Sequence, residues 1–158
     1  MYLIQYINPY NNHKLHVKDD GLFDNDVKTF SRVNGVYRIS SAENYSTNFG
    51  FQWNKFDKTQ IDRFTSGLNQ SRERFFAATS WDKEDLSDTN ILEVGSGAGR
   101  FSHIVLQYTK GNLYSVDYSN AVEANFRNNG HDCRLKLFQA SIYELPFAPH
   151  QFDKVFCF

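Results

Sequence analysis

From Asn90 onward the apolar positions follow two alternating patterns. Ile91-Leu92-Glu93-Val94 is a short apolar run, the pattern of a buried strand. Phe101, Ile104, Val105 and Tyr108 then recur at i, i+3, i+4 and i+7, which marks one face of a helix. Leu113 to Val116 predicts a second strand, Asn120 to Asn129 a second helix closed by Gly130, Arg134 to Phe138 a third strand and Lys154 to Phe158 a fourth. Strands alternating with helices imply βαβ units and a parallel sheet. The chain stops inside an apolar strand, an odd place for a finished α/β domain to end, and this predicts a fragment of a longer protein.

Residues 1–44 lack that regularity. Short apolar pieces (Tyr2 to Ile7, Leu15 to Val17, Val36 to Ile39) are divided by Asn8-Pro9, Asn11-Asn12, Asp19-Asp20-Gly21 and Asn34-Gly35 turn signals, which predicts a small β-rich appendage. Asn34-Gly35 predicts a two-residue hairpin, because both central positions must adopt positive φ. Residues 45–89 read as a helical, aromatic-rich connector or lid. Tyr45, Phe49, Phe51, Trp53 and Phe56 precede Asp57-x-x-Gln60, a capping box opening a helix through Ile61, Phe64 and Leu68, which Gly67 weakens at its end. A further helix over Arg72 to Thr79 would turn Phe75 and Phe76 inward, and Asp82 to Asp88 reads as solvated helix and loop. Residues 90–158 form the third unit.

Composition narrows the class without changing this outline. The 158 residues carry 17 Lys plus Arg against 18 Asp plus Glu. Neither side of Asn90 is basic enough for a nucleic-acid footprint. No apolar run reaches the roughly 20 residues of a membrane span, and the start lacks the basic end and length of a signal peptide, so the chain reads as cytoplasmic. Cys133 and Cys157 are expected to be buried hydrophobes; no Cys-x-x-Cys exists for zinc or redox chemistry. Aromatic residues make up 16% of the chain, which suggests stacking surfaces as well as core.

Glu93-Val94-Gly95-Ser96-Gly97-Ala98-Gly99-Arg100 lies between the first strand and the first helix of the regular region. Its glycines allow a tight turn and close approach of a ligand to the backbone, and the exposed amides of a helix start favour a polar or anionic group. A dinucleotide fingerprint would place its third glycine at position 100, which is Arg, and a P-loop would need Lys there. Asp117 ends the second strand 18 residues after Gly99. At the carboxyl edge of the sheet it can accept hydrogen bonds from both ribose hydroxyls of a nucleoside; the structural alternative is a turn Asp capping the helix that starts near Ser119.

The spacing Glu-x-Gly-x-Gly-x-Gly resembles motif I of class I S-adenosylmethionine-dependent methyltransferases. Gln139 to Phe147 followed by Gln151 to Val155 resembles the segment from the third to the fourth strand in that family. The resemblance covers Asn90 to Phe158 and implies an α/β fold: a Rossmann-like parallel sheet of a class I methyltransferase, truncated after the fourth strand, with the β-rich appendage in front. It implies S-adenosylmethionine as cofactor, with Gly95, Gly97 and Gly99 along its methionine and ribose part and Glu93 supporting its ammonium end. Asp117 would hold the ribose. Ser141 stands where the family commonly has an acidic residue facing the adenine amino group, and a hydroxyl bonds more weakly than a carboxylate. Ile142 would pack on the adenine face or be plain core. With Ser96 and Tyr118 these residues complete the candidate cofactor set; the resemblance assigns neither a catalytic base nor a metal.

Tyr6 to Leu15 and Phe30 to Ile39 look like a zinc-ribbon-like module that precedes some bacterial methyltransferases. Asn8 and Asn11 occupy the places of its first cysteine pair and no later pair exists, so the leader is expected to be metal-free, with His13 and His16 as surface residues. Phe49 to Phe56 resembles an aromatic stretch of methyltransferases acting on surface polysaccharides and sugar nucleotides. The expected function is methyl transfer to a small-molecule acceptor, for example a sugar or surface-polysaccharide intermediate. The alternatives are a catalytically silent binding or assembly module that completes its sheet edge on a partner or a second copy, and, more weakly, an NAD-dependent oxidoreductase.

Overall fold

The computed structural model describes residues 3–40, 55, 61 and 69–158. The leader forms β1 (Tyr6–Ile7), β2 (Lys14–Lys18), β3 (Gly21–Asp24), β4 (Val27–Val33) and β5 (Val36–Arg38). Helix α1 (Gln70–Thr79) and a short 3-10 turn (Trp81–Lys83) lead into β6 (Asn90–Val94), α2 (Arg100–Tyr108), β7 (Asn112–Asp117), α3 (Val122–Asn129), β8 (Leu135–Gln139) and β9 (Lys154–Phe156). The aromatic cluster of 45–56 and the capping box at Asp57 and Gln60 lie outside the described residues, as do Phe64, Gly67 and Leu68. Ile61 is described and is buried.

The strands form one mixed sheet in the order β1-β2-β3-β4-β5-β8-β7-β6-β9. The four strands expected from the regular region pair in parallel, β8 with β7, β7 with β6 and β6 with β9. The β-rich leader continues this sheet. Successive strands from β1 to β5 run antiparallel, and β5 then joins β8 in parallel, Tyr37 opposite Phe138. The predicted hairpin is present, with Asn34 at φ 50° and Gly35 at φ 79° between the paired Val33 and Val36.

Strand alternation gives the sheet two buried faces. Val36, Ile91, Leu113, Leu135 and Leu137 pack with Ile104, Val105, Val122, Phe75 and Trp81 on the helix side. Tyr37, Leu92, Val116, Phe138 and Ala140 point the other way and pack with Tyr6, Leu15, Leu22, Phe30 and Phe147 of the leader and the segment before β9. Fully burying each large side chain of this kind contributes roughly 1.5–3 kcal/mol. Period-2 geometry also places Glu93 and Ser115, register partners on β6 and β7, on the helix face.

Several local expectations are corrected. Phe75 is fully buried but Phe76 only partly, since α1 meets the core along a narrow stripe. Tyr108 ends its helix 42% exposed, edge-on to Phe76. Cys133 and Cys157 are exposed, because one precedes β8 in a turn and the other follows the last residue of β9. The turn signals at Asn8-Pro9 and Asn11-Asn12, by contrast, hold: the Asn8 and Asn11 side-chain oxygens accept from the amides of Tyr10 and His13 at 3.0 and 2.9 Å. Among the described residues no helix is long and apolar enough to cross a membrane.

Candidate functional site

The carboxyl ends of β6, β7 and β8 open toward one side of the sheet, where strand ends and following helix starts leave backbone groups available. The turn after β6 runs in left-handed conformation at Gly95, Gly97 and Gly99, with φ of 76°, 52° and 85°. Gly99 is the N-cap of α2, so the turn delivers the chain directly into that helix.

Asp117 ties the turn to the end of β7. Its Oδ2 accepts from the Gly97 amide at 2.8 Å, while Oδ1 accepts from the Ser119 amide at 2.8 Å and hydroxyl at 2.7 Å. These bonds make Asp117 the organiser of the turn that precedes α3 and set it beside the glycine turn at the carboxyl end of β7. A carboxylate has about four acceptor sites, so these three bonds leave one. Accepting two hydroxyls of a ligand requires the Ser119 hydroxyl to rotate away.

Two cavities meet at Gly95, Gly97 and Phe158. One, of about 480 Å³, is lined by Gly95, Gly97, Asp117, Tyr118, Ile142 and Cys157 among others. The second, of about 370 Å³, is bounded by Arg74, Ser96, Ala98, Arg100 and Phe101. The Ser96 hydroxyl is buried and has no hydrogen-bond partner among the described residues, a costly state for a polar atom. The Arg74 guanidinium lies 5.8 Å from the Phe101 ring centroid and 5.9 Å from that of Phe158, and Arg100 is held by the Ser71 hydroxyl at 2.8 Å. Sequence reasoning missed Arg74, Arg100, Ser119, Cys157 and Phe158. Only the position of Ser119, two after Asp117, carried a local signal.

The remaining sequence-predicted residues lie elsewhere. Glu93 is buried beneath the turn, where its Oε2 accepts from the hydroxyls of Ser102 and Ser115, the latter at 2.8 Å. Burial pushes its carboxyl up to about 7, partly offset by those two donors. Gly99 faces α3: a Cβ there would fall 2.1 Å from Asn125 Oδ1 and 2.4 Å from Asn129 Nδ2. The Ser141 hydroxyl accepts from the Tyr143 amide at 3.2 Å and its own amide donates to the Ser40 hydroxyl at 3.1 Å, so it is engaged locally between the cavity-lining Ala140 and Ile142.

The residues present suit an adenosyl amino acid. A carboxylate at a sheet edge suits ribose hydroxyls, Ile142 and Tyr118 offer apolar surface to a base, and two guanidinium groups with the buried Ser96 hydroxyl suit a carboxylate. The turn at Gly95 is open, with only Cys157 Sγ, at 3.9 Å, near a built Cβ.

Residues 91–158 match the family described as "Methyltransferase domain". Over 114 residues the chain is 26% identical to the tRNA N(3)-methylcytidine methyltransferase trm140 of Schizosaccharomyces pombe, covering 70% of this chain and 36% of that protein. Its fold resembles that of a candidate S-adenosyl-L-methionine-dependent methyltransferase from Methanococcus maripaludis (TM-score 0.53, 14% identity, 75% of this chain and 52% of the other). It also resembles phosphoethanolamine N-methyltransferase 1 of Haemonchus contortus, solved with phosphoethanolamine and S-adenosylhomocysteine (TM-score 0.51, 17% identity, 75% and 26%). The chain thus spans about a third of the curated relative's length and about half or less of these solved chains.

Proposed function

We propose, from the match of residues 91–158 to the methyltransferase-domain family, that the chain is a class I S-adenosylmethionine-dependent methyltransferase that binds this cofactor across its two joined cavities and takes part in methyl transfer to a small-molecule acceptor in the cytoplasm. The observation that carries this reading is the contact between the Asp117 carboxylate and the Gly97 amide, 2.8 Å, at the seam of the cavities. The bound cofactor supplies a methyl group on a sulfonium, already a strong electrophile. The protein's work is then positioning. Asp117 holds ribose hydroxyls, Ile142 and Tyr118 border the base, and Arg74, Arg100 and the Ser96 hydroxyl hold the amino-acid carboxylate. Glu93 lies beneath the turn and accepts from the Ser102 and Ser115 hydroxyls, which in turn accept from Asn125.

The similarity to a tRNA-modifying enzyme favours a second acceptor, a tRNA base. Incubation with labelled cofactor and either total tRNA or a small-metabolite fraction separates the two acceptors by where the label appears.

The cofactor reading is tested by isothermal titration with S-adenosylhomocysteine. Saturable one-to-one binding that Asp117→Asn weakens and Gly97→Val removes, with circular dichroism spectra unchanged, supports it. Because valine at φ 52° strains the turn, Asp117→Asn is the decisive variant. Parent and Asp117→Asn binding with equal affinity sinks the assignment of Asp117, and a folded parent that does not bind sinks the reading.

A further inference from the structure

Helix α3 carries Asn125, Asn128 and Asn129 on the face toward the glycine turn, and all three are buried, with exposures of 0%, 2% and 1%. Asparagine is a poor helix former, and its burial carries a desolvation cost. Three of them on one buried helical face work against helix stability, and such a local conflict is characteristic of a functional requirement.

Their hydrogen bonds show what they hold. Asn128 Nδ2 donates to the Ala98 carbonyl and Asn129 Nδ2 to the Gly99 carbonyl, each at 3.0 Å. Asn129 also donates to Asn125 Oδ1 at 2.9 Å. Asn125 Nδ2 donates in turn to the hydroxyls of Ser102 at 2.8 Å and Ser115 at 3.3 Å, and both hydroxyls donate to Glu93 Oε2. The donors run in one direction from the α3 amides to the carboxylate on β6, so each bond polarises the next. None of the three asparagines lines either of the two cavities at the turn.

A turn with three left-handed glycines loses much conformational entropy when fixed. Asp117 restrains it from the ligand side through the Gly97 amide; Asn128 and Asn129 restrain it from the opposite side through the next two carbonyls. We propose that Asn128 and Asn129, with Asn125 bracing Asn129 from behind, are positioning residues that clamp the glycine turn in the conformation that admits the cofactor, touching only the turn's backbone. This rests on the cofactor reading above. The clamp lowers the cost of ordering the turn upon binding, so its loss weakens affinity without removing any ligand contact.

The test uses Asn128→Ala and Asn128→Asp in the full chain, with two readouts. The first is hydrogen exchange of the amides of residues 95–100, which needs no ligand. Asn128→Ala is expected to speed exchange there while leaving β2 to β4 of the leader unchanged. The second is S-adenosylhomocysteine affinity, expected to fall about tenfold, as for an unmet buried carbonyl. Asn128→Asp keeps the shape but, when ionised, turns an acceptor toward the Ala98 carbonyl oxygen; protonated, it can donate again. Its affinity relative to the parent should recover on acidification, a response that loss of packing alone does not give. A folded Asn128→Ala with parental exchange at the turn overturns the clamp, as do parental affinity and an Asn128→Asp affinity ratio that stays flat with pH. If the parent itself does not bind, the cofactor reading fails, and exchange at the turn alone judges the clamp.

Discussion

Asn129 donates to the Gly99 carbonyl at 3.0 Å, and a methyl group on Gly99 would stand 2.4 Å from that same nitrogen. Asn125 Oδ1 would be closer still, at 2.1 Å. The third glycine of the turn is therefore required by the helix packed behind it as well as by its own φ of 85°. Gly99→Ala should cost about 2 kcal/mol or more, combining left-handed strain with overpacking. Trimming the nearer obstruction in Gly99→Ala/Asn125→Ala should show non-additivity, with the double variant less damaged than the sum of the two single changes. Chemical denaturation of the four proteins measures this coupling, and strict additivity would refute the steric account.

Glu93 adds a pH response to the fold. Its folded-state value of about 7 lies above its ordinary value of 4.5 because burial favours the neutral acid. The stability it contributes is therefore fully present below about pH 4.5 and is lost as the pH rises through about 7, a difference of roughly 3 kcal/mol at its largest. Glu93→Gln should remove that fall, so that variant and parent differ most in the variant's favour near pH 8. Urea midpoints at pH 5 and pH 8 check it; an equal pH response in both proteins would count against the buried-acid account.

Cys157 offers a direct report on the site. It is exposed and lines the larger of the two cavities at the turn, whereas Cys133, also exposed, precedes β8 on a different part of the surface. Saturating S-adenosylhomocysteine should slow alkylation of Cys157 several-fold and leave Cys133 unchanged. Peptide mass spectrometry over a time course reads both thiols at once. Equal protection of both, or of neither, would separate the cavity from cofactor binding.

The leader is bound to the sheet by aromatic packing. Tyr37 stacks on Phe138 with ring centroids 5.0 Å apart and also meets Tyr6 at 6.4 Å. Tyr37→Ala should cost about 3–5 kcal/mol, as for other large aromatic truncations. It should also expose β8 amides to hydrogen exchange, because β5 is the partner of β8 at that edge. Loss of protection confined to β1 to β4 would argue that the leader folds apart from the sheet.

The βαβ order, the glycine turn, the hairpin at Asn34-Gly35 and the place of Asp117 at a strand end are all legible in the residues alone. Each is a local matter, set by periodicity over a few residues or by φ angles that only certain residues accept. What was not legible arises from long-range packing. The pairing of β5 with β8 brings Tyr37 opposite Phe138, a contact between distant parts of the chain that no local pattern encodes. Arg74 reaches the glycine turn only because α1 packs against the core through Phe75, and in sequence it resembles any solvated helical arginine. The asparagines of α3 read as a polar helix face until the fold turns that face onto Ala98 and Gly99. Burial likewise sets the protonation of Glu93, since desolvation depends on what surrounds a side chain in space and not on its neighbours along the chain.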